Sequence, residues 1–329
     1  MIPTITLGRG GLQASQLSFG AAGIGNLFRE ISDEDAHDAL RTYFDAGVNY
    51  FDTAPHYGLG LSERRVGEFI SEVGRDNVVV STKVGRLIRP NPHADGGLDD
   101  QGFAVSNDLY RELDYSRDGV IRSIEESLER LGIDRIDIVF VHDPDDHETE
   151  ALDGAFPALE ELRGQGMITS YGSGMNQSAM LARFARQTDL DVVMLAGRFS
   201  LLEQPALDDL LPVALERNVS IVAAGVFNSG ILATNDPQPG AHYNYAPAPD
   251  DIVHKAQALA RECTDAGYTL PQVAAQFPLL HPAFKVICLG ARSGEQAARN
   301  VGLMDSPVDA SFYQHLADQC LLRPEALAH

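Results

Sequence analysis

The chain contains no tryptophan, only three cysteines, and about half as many basic as acidic residues (25 Lys and Arg against 47 Asp and Glu). Each shortage excludes something. Cys263, Cys288 and Cys320 lie far apart and form no CxxC pair, so neither a disulfide framework nor a zinc knuckle is predicted. A formal net charge of -22 removes the basic surface that nucleic acid or an anionic membrane would require, and it suits a soluble protein. No apolar run approaches membrane-spanning length. The opening stretch Ile2-Pro3-Thr4-Ile5 lacks a basic segment followed by an apolar core, so a cytoplasmic protein is expected.

Familiar nucleotide signatures are missing too. Gly20-Ala21-Ala22-Gly23-Ile24-Gly25 is glycine-rich but out of order for a dinucleotide fingerprint, and no Walker A sequence occurs. No tyrosine is followed four residues later by lysine, which disfavours the short-chain dehydrogenase mechanism. His142, Asp143, Asp145, Asp146 and His147 crowd one loop, yet no second group is spaced to complete a metal site, so no metal is expected.

What is present is an alternation. The chain has 329 residues, 44% of them hydrophobic, enough for a large core. Residues 1–15 read as a hairpin turning at Gly8-Arg9-Gly10-Gly11. Short apolar, β-branched runs follow at 16–20, 47–52, 78–83, 136–142, 168–172, 192–196, 219–224 and 284–289. Between them lie helical patterns, with Ser32, Ser62, Ser116, Asn176 and Ser293 as candidate caps. Eight such units predict an α/β fold with a parallel sheet, closed as a (β/α)₈ TIM barrel across a single domain spanning 1–329; a doubly wound sheet is the alternative. Two stretches, about 86–116 and 238–249, are rich in turn-forming residues and read as long active-site lids.

The barrel places chemistry at strand ends. Three successive strands end at Asp52, Lys83 and His142, and Tyr57 follows Asp52 by five residues. A tyrosine with its ordinary pKa near 10 is too weak an acid for proton transfer at neutral pH. A neighbouring ammonium is expected to lower it, an aspartate to keep that ammonium charged, and a neutral histidine to orient a substrate oxygen. Together the four form a proton relay for interconverting a carbonyl and an alcohol. A Schiff-base lyase using Lys83 is the other chemistry open to these residues.

The segments Phe51-Asp52-Thr53-Ala54-Pro55-His56-Tyr57-Gly58, Ser81-Thr82-Lys83 and Asp137-Ile138-Val139-Phe140-Val141-His142 resemble the signature of the aldo-keto reductases, in the family's order and over nearly the whole chain. The resemblance implies Tyr57 as acid/base, Lys83 and Asp52 as its tuners, His142 as substrate-orienting group and a nicotinamide cofactor across the barrel mouth. It implies cofactor contacts from Gly290, Arg292, Gln296 and Asn300 after the last strand. It adds Gly225, Phe227, Ser229 and Gly230 as a pyrophosphate loop, Asn176 near the nicotinamide amide, and Phe199 in place of a stacking tyrosine. Relatives that use NADPH often carry a lysine at the position of Gly290 and an arginine at that of Gln296, so NAD is expected over NADP.

The segments around His142-Asp143-Pro144-Asp145, Gly172 to Gln177 and Ala196 to Leu202 look like the branch that oxidises a cyclic hemiacetal to a lactone. Pyridoxal leads as substrate, with a sugar lactol such as L-fucose, a D-threo-aldose or L-galactose as the alternative. A nicotinamide-binding regulatory subunit of potassium channels is the reading from another class. The expected partner is a small lactol or aldehyde, and a homo-oligomer is allowed.

Overall fold

Side chains alternate between the two faces of a strand, and this parity organises the molecule. In the computed structural model, which describes residues 2–327, the apolar runs become eight parallel strands closed into a barrel. They are β1 (Leu17–Gly20), β2 (Tyr50–Asp52), β3 (Val79–Val84), β4 (Ile138–His142), β5 (Ser170–Met175), β6 (Val192–Ala196), β7 (Ser220–Ala224) and β8 (Phe284–Leu289). β8 closes the circle by pairing with β1, Ile287 opposite Leu17. An open, doubly wound sheet would have two unpaired edges, and this barrel has none.

One parity points inward. Tyr50, Val79, Ile138, Phe140, Val192, Met194, Val222, Val286 and Cys288 fill the barrel interior. The other parity, including Phe51, Val80, Val139 and Val141, meets the surrounding helices in the larger core. Asp52, Lys83 and His142 share the inward parity of Tyr50, Val79 and Phe140. They therefore project into the barrel at its C-terminal mouth.

The hairpin forms as expected from Thr4–Leu7 and Leu12–Ser15. It closes the opposite end. Leu7 and Ala14 join the interior cluster, and the Gly8 amide donates to Ser220 Oγ at the start of β7 (3.3 Å).

Several local expectations need correction. Ser32, Ser116 and Ser293 cap their helices. Ser62 does not: the helix Leu61–Val73 starts from Gly60 at φ 85°, and the Ser62 hydroxyl instead donates to Ala21 O (2.9 Å) and meets Thr53 Oγ1 (2.8 Å). Asn176 is not a cap either, because Gln177 precedes the helix Ser178–Gln187.

The lid at 86–116 is not irregular. Arg86–Pro90 and Leu109–Leu113 pair as an antiparallel hairpin. The second lid contains a smaller pair, His242–Tyr243 against Ala246–Pro247, turned by Asn244 and Tyr245 at positive φ (49° and 63°).

β5 runs to Met175 rather than ending at Gly172. Glycine is a poor strand former, but here it is required by close approach. A Cβ on Gly172 would lie 1.5 Å from the Val192 carbonyl oxygen of β6. Gly164, in the helix Phe156–Gly164, has open space around its would-be Cβ. The two glycines should therefore respond oppositely to alanine. Gly164→Ala is expected to gain about 0.5–1 kcal/mol. Gly172→Ala should lose about 3 kcal/mol or more, because backbone must move. Chemical denaturation of both variants beside the parent checks the pair of signs.

Candidate active site

The mouth is built on a buried ion pair. Lys83 Nζ donates to Asp52 Oδ2 (2.7 Å) and to the Thr53 carbonyl oxygen (2.9 Å), while Ser81 Oγ donates to Asp52 Oδ1 (2.6 Å). Both charged residues are only 2% exposed. Each charge taken from water thus finds a charged partner and a second hydrogen bond. Tyr57 lies in the turn after β2, with Lys83 Nζ 4.6 Å from its ring centroid. The turn is held from the other side. Gly58, at φ 62°, packs so closely on Gly25 that a Cβ there would meet the Gly25 carbonyl oxygen at 2.3 Å. His142 stands edge-on to Tyr57, their ring centroids 5.8 Å apart and their planes at 90°. The four residues singled out in the sequence are thus brought together.

The electrostatics differ in one respect from expectation. Burial pulls Lys83 down, but Asp52 and then Tyr57 raise it by more, so the ammonium stays charged. Burial pushes the Tyr57 phenol above its ordinary range, and the opposing Lys83 charge only partly offsets this. The expectation of a lowered tyrosine is therefore corrected: desolvation outweighs the ammonium. Burial, followed by Lys83 and Arg86, holds His142 well below its ordinary value, so the imidazole is neutral.

The sequence reading overlooked a second group. His56, beside Tyr57, is brought down to about 2 by burial and by Arg111, Arg86 and Lys83. Arg111, on the lid hairpin, donates to the His56 carbonyl oxygen (2.8 Å) and to both carboxylate oxygens of Asp99 (2.5 and 3.1 Å). Phe103 packs against His56 and Tyr57, with ring centroids 5.2 and 6.2 Å away. Only pairing across the lid reveals these residues, and no local motif marks them. A cleft of about 400 Å³ opens beside them, lined among others by Arg86, Arg111, Asp143, Asp145, Asp146 and His147.

The positions expected to hold the cofactor lie mostly at the same mouth. Ser293 caps the helix Gly294–Gly302, and Gln296 Oε1 accepts from the Arg292 amide (2.9 Å). Asn300 Nδ2 donates to Tyr43 Oη and Gly290 O (3.0 Å each), leaving its oxygen as the atom to offer a base. Asn176 Nδ2 donates to Ala196 O (3.1 Å), across the ends of β5 and β6. Gly225, Ser229 and Gly230 all have positive φ in the exposed loop after β7, with Phe227 half-buried between them. Phe199 is a correction. Its ring lies between Phe277 and Phe284, both centroids 4.9 Å away, so both faces are covered and it cannot stack on a nicotinamide.

A phosphate-bearing dinucleotide fits what remains. Arg292 Nε is buried without a hydrogen-bond partner. Arg292 shares a cleft of about 480 Å³ with Arg29, Ser32 and Ser293, and with the carboxylates of Glu30 and Asp35. The Arg292 guanidinium, with its unpartnered Nε just ahead of the helix Gly294–Gly302, is the group there that suits an anion.

A barrel with these four residues at its mouth is the arrangement expected of a nicotinamide-linked oxidoreductase. The Aldo/keto reductase family model matches residues 16–319, and the chain belongs to that family. It is an NAD(P)-dependent oxidoreductase acting on CH–OH groups. It is 44% identical over 315 residues to a D-threo-aldose 1-dehydrogenase of a Pseudomonas species, covering 95% of this chain and 96% of that one. It is 38% identical to the pyridoxal 4-dehydrogenase of Microbacterium luteolum, covering 96% and 97%. Among solved structures, the holo form of an aldo-keto reductase from Bacillus halodurans superposes with a TM-score of 0.77 at 26% identity, covering 98% of this chain and 97% of that one.

Two imidazoles held neutral have a stability consequence. Their folded pKa values are depressed, so the unfolded chain binds more protons below the ordinary histidine pKa of about 6.5. Stability should be full well above that value and fall progressively as pH drops below it, toward the folded His56 value of about 2. Urea midpoints across that window check it, and His56→Asn should flatten the slope.

Proposed function

We propose that the protein oxidises a cyclic hemiacetal to a lactone, with a sugar lactol as substrate and NAD as oxidant. The observation that carries the chemistry is Lys83, bonded to Asp52 at 2.7 Å and standing 4.6 Å from the Tyr57 ring. The bound nicotinamide supplies the hydride acceptor, so the carbon loses hydride and its hydroxyl loses a proton. Tyr57, as phenolate, takes that proton. Lys83 is the countercharge that stabilises the phenolate, and Asp52 keeps Lys83 charged. Neutral His142 holds the reacting oxygen without adding a competing charge.

A sugar is favoured by the cleft, whose guanidiniums and carboxylates match hydroxyl groups. The relative named for D-threo-aldoses points the same way. Pyridoxal is the second reading. Phe103 beside Tyr57 offers one aromatic wall for its ring, and the second relative is named for it. The complete relay gives the regulatory-subunit reading less support than either.

NADH absorbance with L-fucose, D-arabinose, L-galactose and pyridoxal side by side tests the function, and sugars are expected to turn over best. Because burial raises the phenol, oxidation should accelerate steadily as pH rises through the alkaline range. Tyr57→Phe should lower kcat by at least about 100-fold, the scale of acid–base catalysis, while NAD binding changes little. Retention of most activity by that variant would remove Tyr57 from the mechanism.

The preference for NAD rests on the adenosine end. Arg292 donates to Leu27 O (3.0 Å), Gln296 is neutral, and Gly290 offers no side chain. Gln296→Arg should improve NADP affinity about tenfold, one charge-assisted contact, with little change for NAD. Fluorescence titration with both cofactors reads this directly.

A further inference from the structure

Asp143 follows His142 and takes a left-handed conformation at φ 42°. A non-glycine residue there is strained unless its surroundings impose it. They do so here. Tyr115 Oη donates to the carbonyl oxygens of His142 (2.8 Å) and Asp143 (3.2 Å), and the Asp143 amide donates to Gly174 O (3.1 Å). The result aims the carboxylate back at the mouth. Asp143 Oδ2 lies 3.5 Å from His142 Nε2 and 3.1 Å from Arg86 Nη2. Arg86 Nε is buried with no hydrogen-bond partner, and both residues line the cleft beside the relay. A carboxylate and a guanidinium thus stand side by side, next to the imidazole assigned to the reacting oxygen. One accepts hydrogen bonds, the other donates them. Neighbouring hydroxyls on a ring offer the matching donor and acceptor.

We propose that Arg86 and Asp143 form a diol-reading pair that binds the hydroxyl next to the reacting carbon, and with it the following one, of a cyclic sugar. The proposal rests on the lactol-oxidising reading above and names the part of the substrate that this site selects. The pair is a specificity device. It performs no step of the hydride or proton transfer, and its strength lies in leaving the buried Arg86 Nε without an acceptor whenever the substrate lacks the hydroxyls. Arg86 also ties the lid hairpin to the end of β4, because it is the first residue of that hairpin.

The test compares D-arabinose with 2-deoxy-D-ribose, which is D-arabinose without the hydroxyl next to the anomeric carbon. Steady-state kcat/KM is measured for both sugars on the parent enzyme, Asp143→Asn and Arg86→Lys. The parent is expected to prefer D-arabinose by about 10- to 100-fold, the scale of one or two hydrogen bonds to charged groups. Each variant should shrink that ratio at least about fivefold, the lower end of the same scale. The ratio is the readout because a general loss of folding or relay geometry lowers both values together and leaves it fixed. An unchanged ratio in both variants, or a parent that turns over the two sugars equally, overturns the diol-reading pair while the lactol reading stands. Absence of NADH or NADPH formation with both sugars, and with an unsubstituted lactol such as 2-hydroxytetrahydropyran, overturns the lactol reading and the pair with it.

Discussion

The molecule depends on the burial of one lysine. Removing an ammonium and a carboxylate from water costs several kcal/mol per ion, and their attraction returns this only when every remaining valence is satisfied. Lys83 and Asp52 meet that condition through Thr53 and Ser81. Such a pair adds little to stability compared with a well-packed apolar pair of the same size. Its value is local. It holds a positive charge inside a barrel whose chain is acidic overall, 4.6 Å from the ring of Tyr57. The strands on either side serve this arrangement. Asp52 and Lys83 lie on neighbouring strands, with Asp52 in register with Ser81, so the parity that turns Tyr50 and Val79 inward also turns the charged ends toward each other.

Much of this was legible in the sequence for a physical reason. A parallel strand buried on both faces reads as a continuous β-branched run, and a polar residue ending such a run is conspicuous. Asp52, Lys83 and His142 stood out on that ground, and the order of helices and strands followed from the same pattern. Less legible were features set by long-range pairing. Arg111 and Asp99 form an ion pair whose side chains are 2% and 4% exposed, yet they lie in a stretch whose composition suggests only loop. Arg86–Pro90 finds its partner about twenty residues away, and no local signal announces that register. Phe199 looked like a stacking group because of its position, but two other aromatic rings claim its faces. The tyrosine is instructive in another way. The sequence shows that a cation is near, whereas the sign of the shift depends on how dry the site is, which only packing decides.

The lid is a structured arm. Arg111 reaches from it to the backbone of His56, one residue before Tyr57, and Arg86 reaches from it to Asp143. The turn that carries Tyr57 and the proposed Arg86–Asp143 pair therefore share one support. Burial first, and then Lys83, Arg86 and Arg111, keep His56 and His142 neutral, and each of these cations is matched by a carboxylate, Asp52, Asp143 and Asp99 respectively.

The N-terminal hairpin closes the far end of the barrel, and its turn at Arg9 to Gly11 is exposed on the side away from the mouth. This gives the molecule a handle with a defined orientation. An electrode or bead coupled through that turn would carry each molecule with its mouth facing the solution. Cofactor and substrate would then reach the site without passing the support, and a dense film of the enzyme would keep its working faces clear of one another.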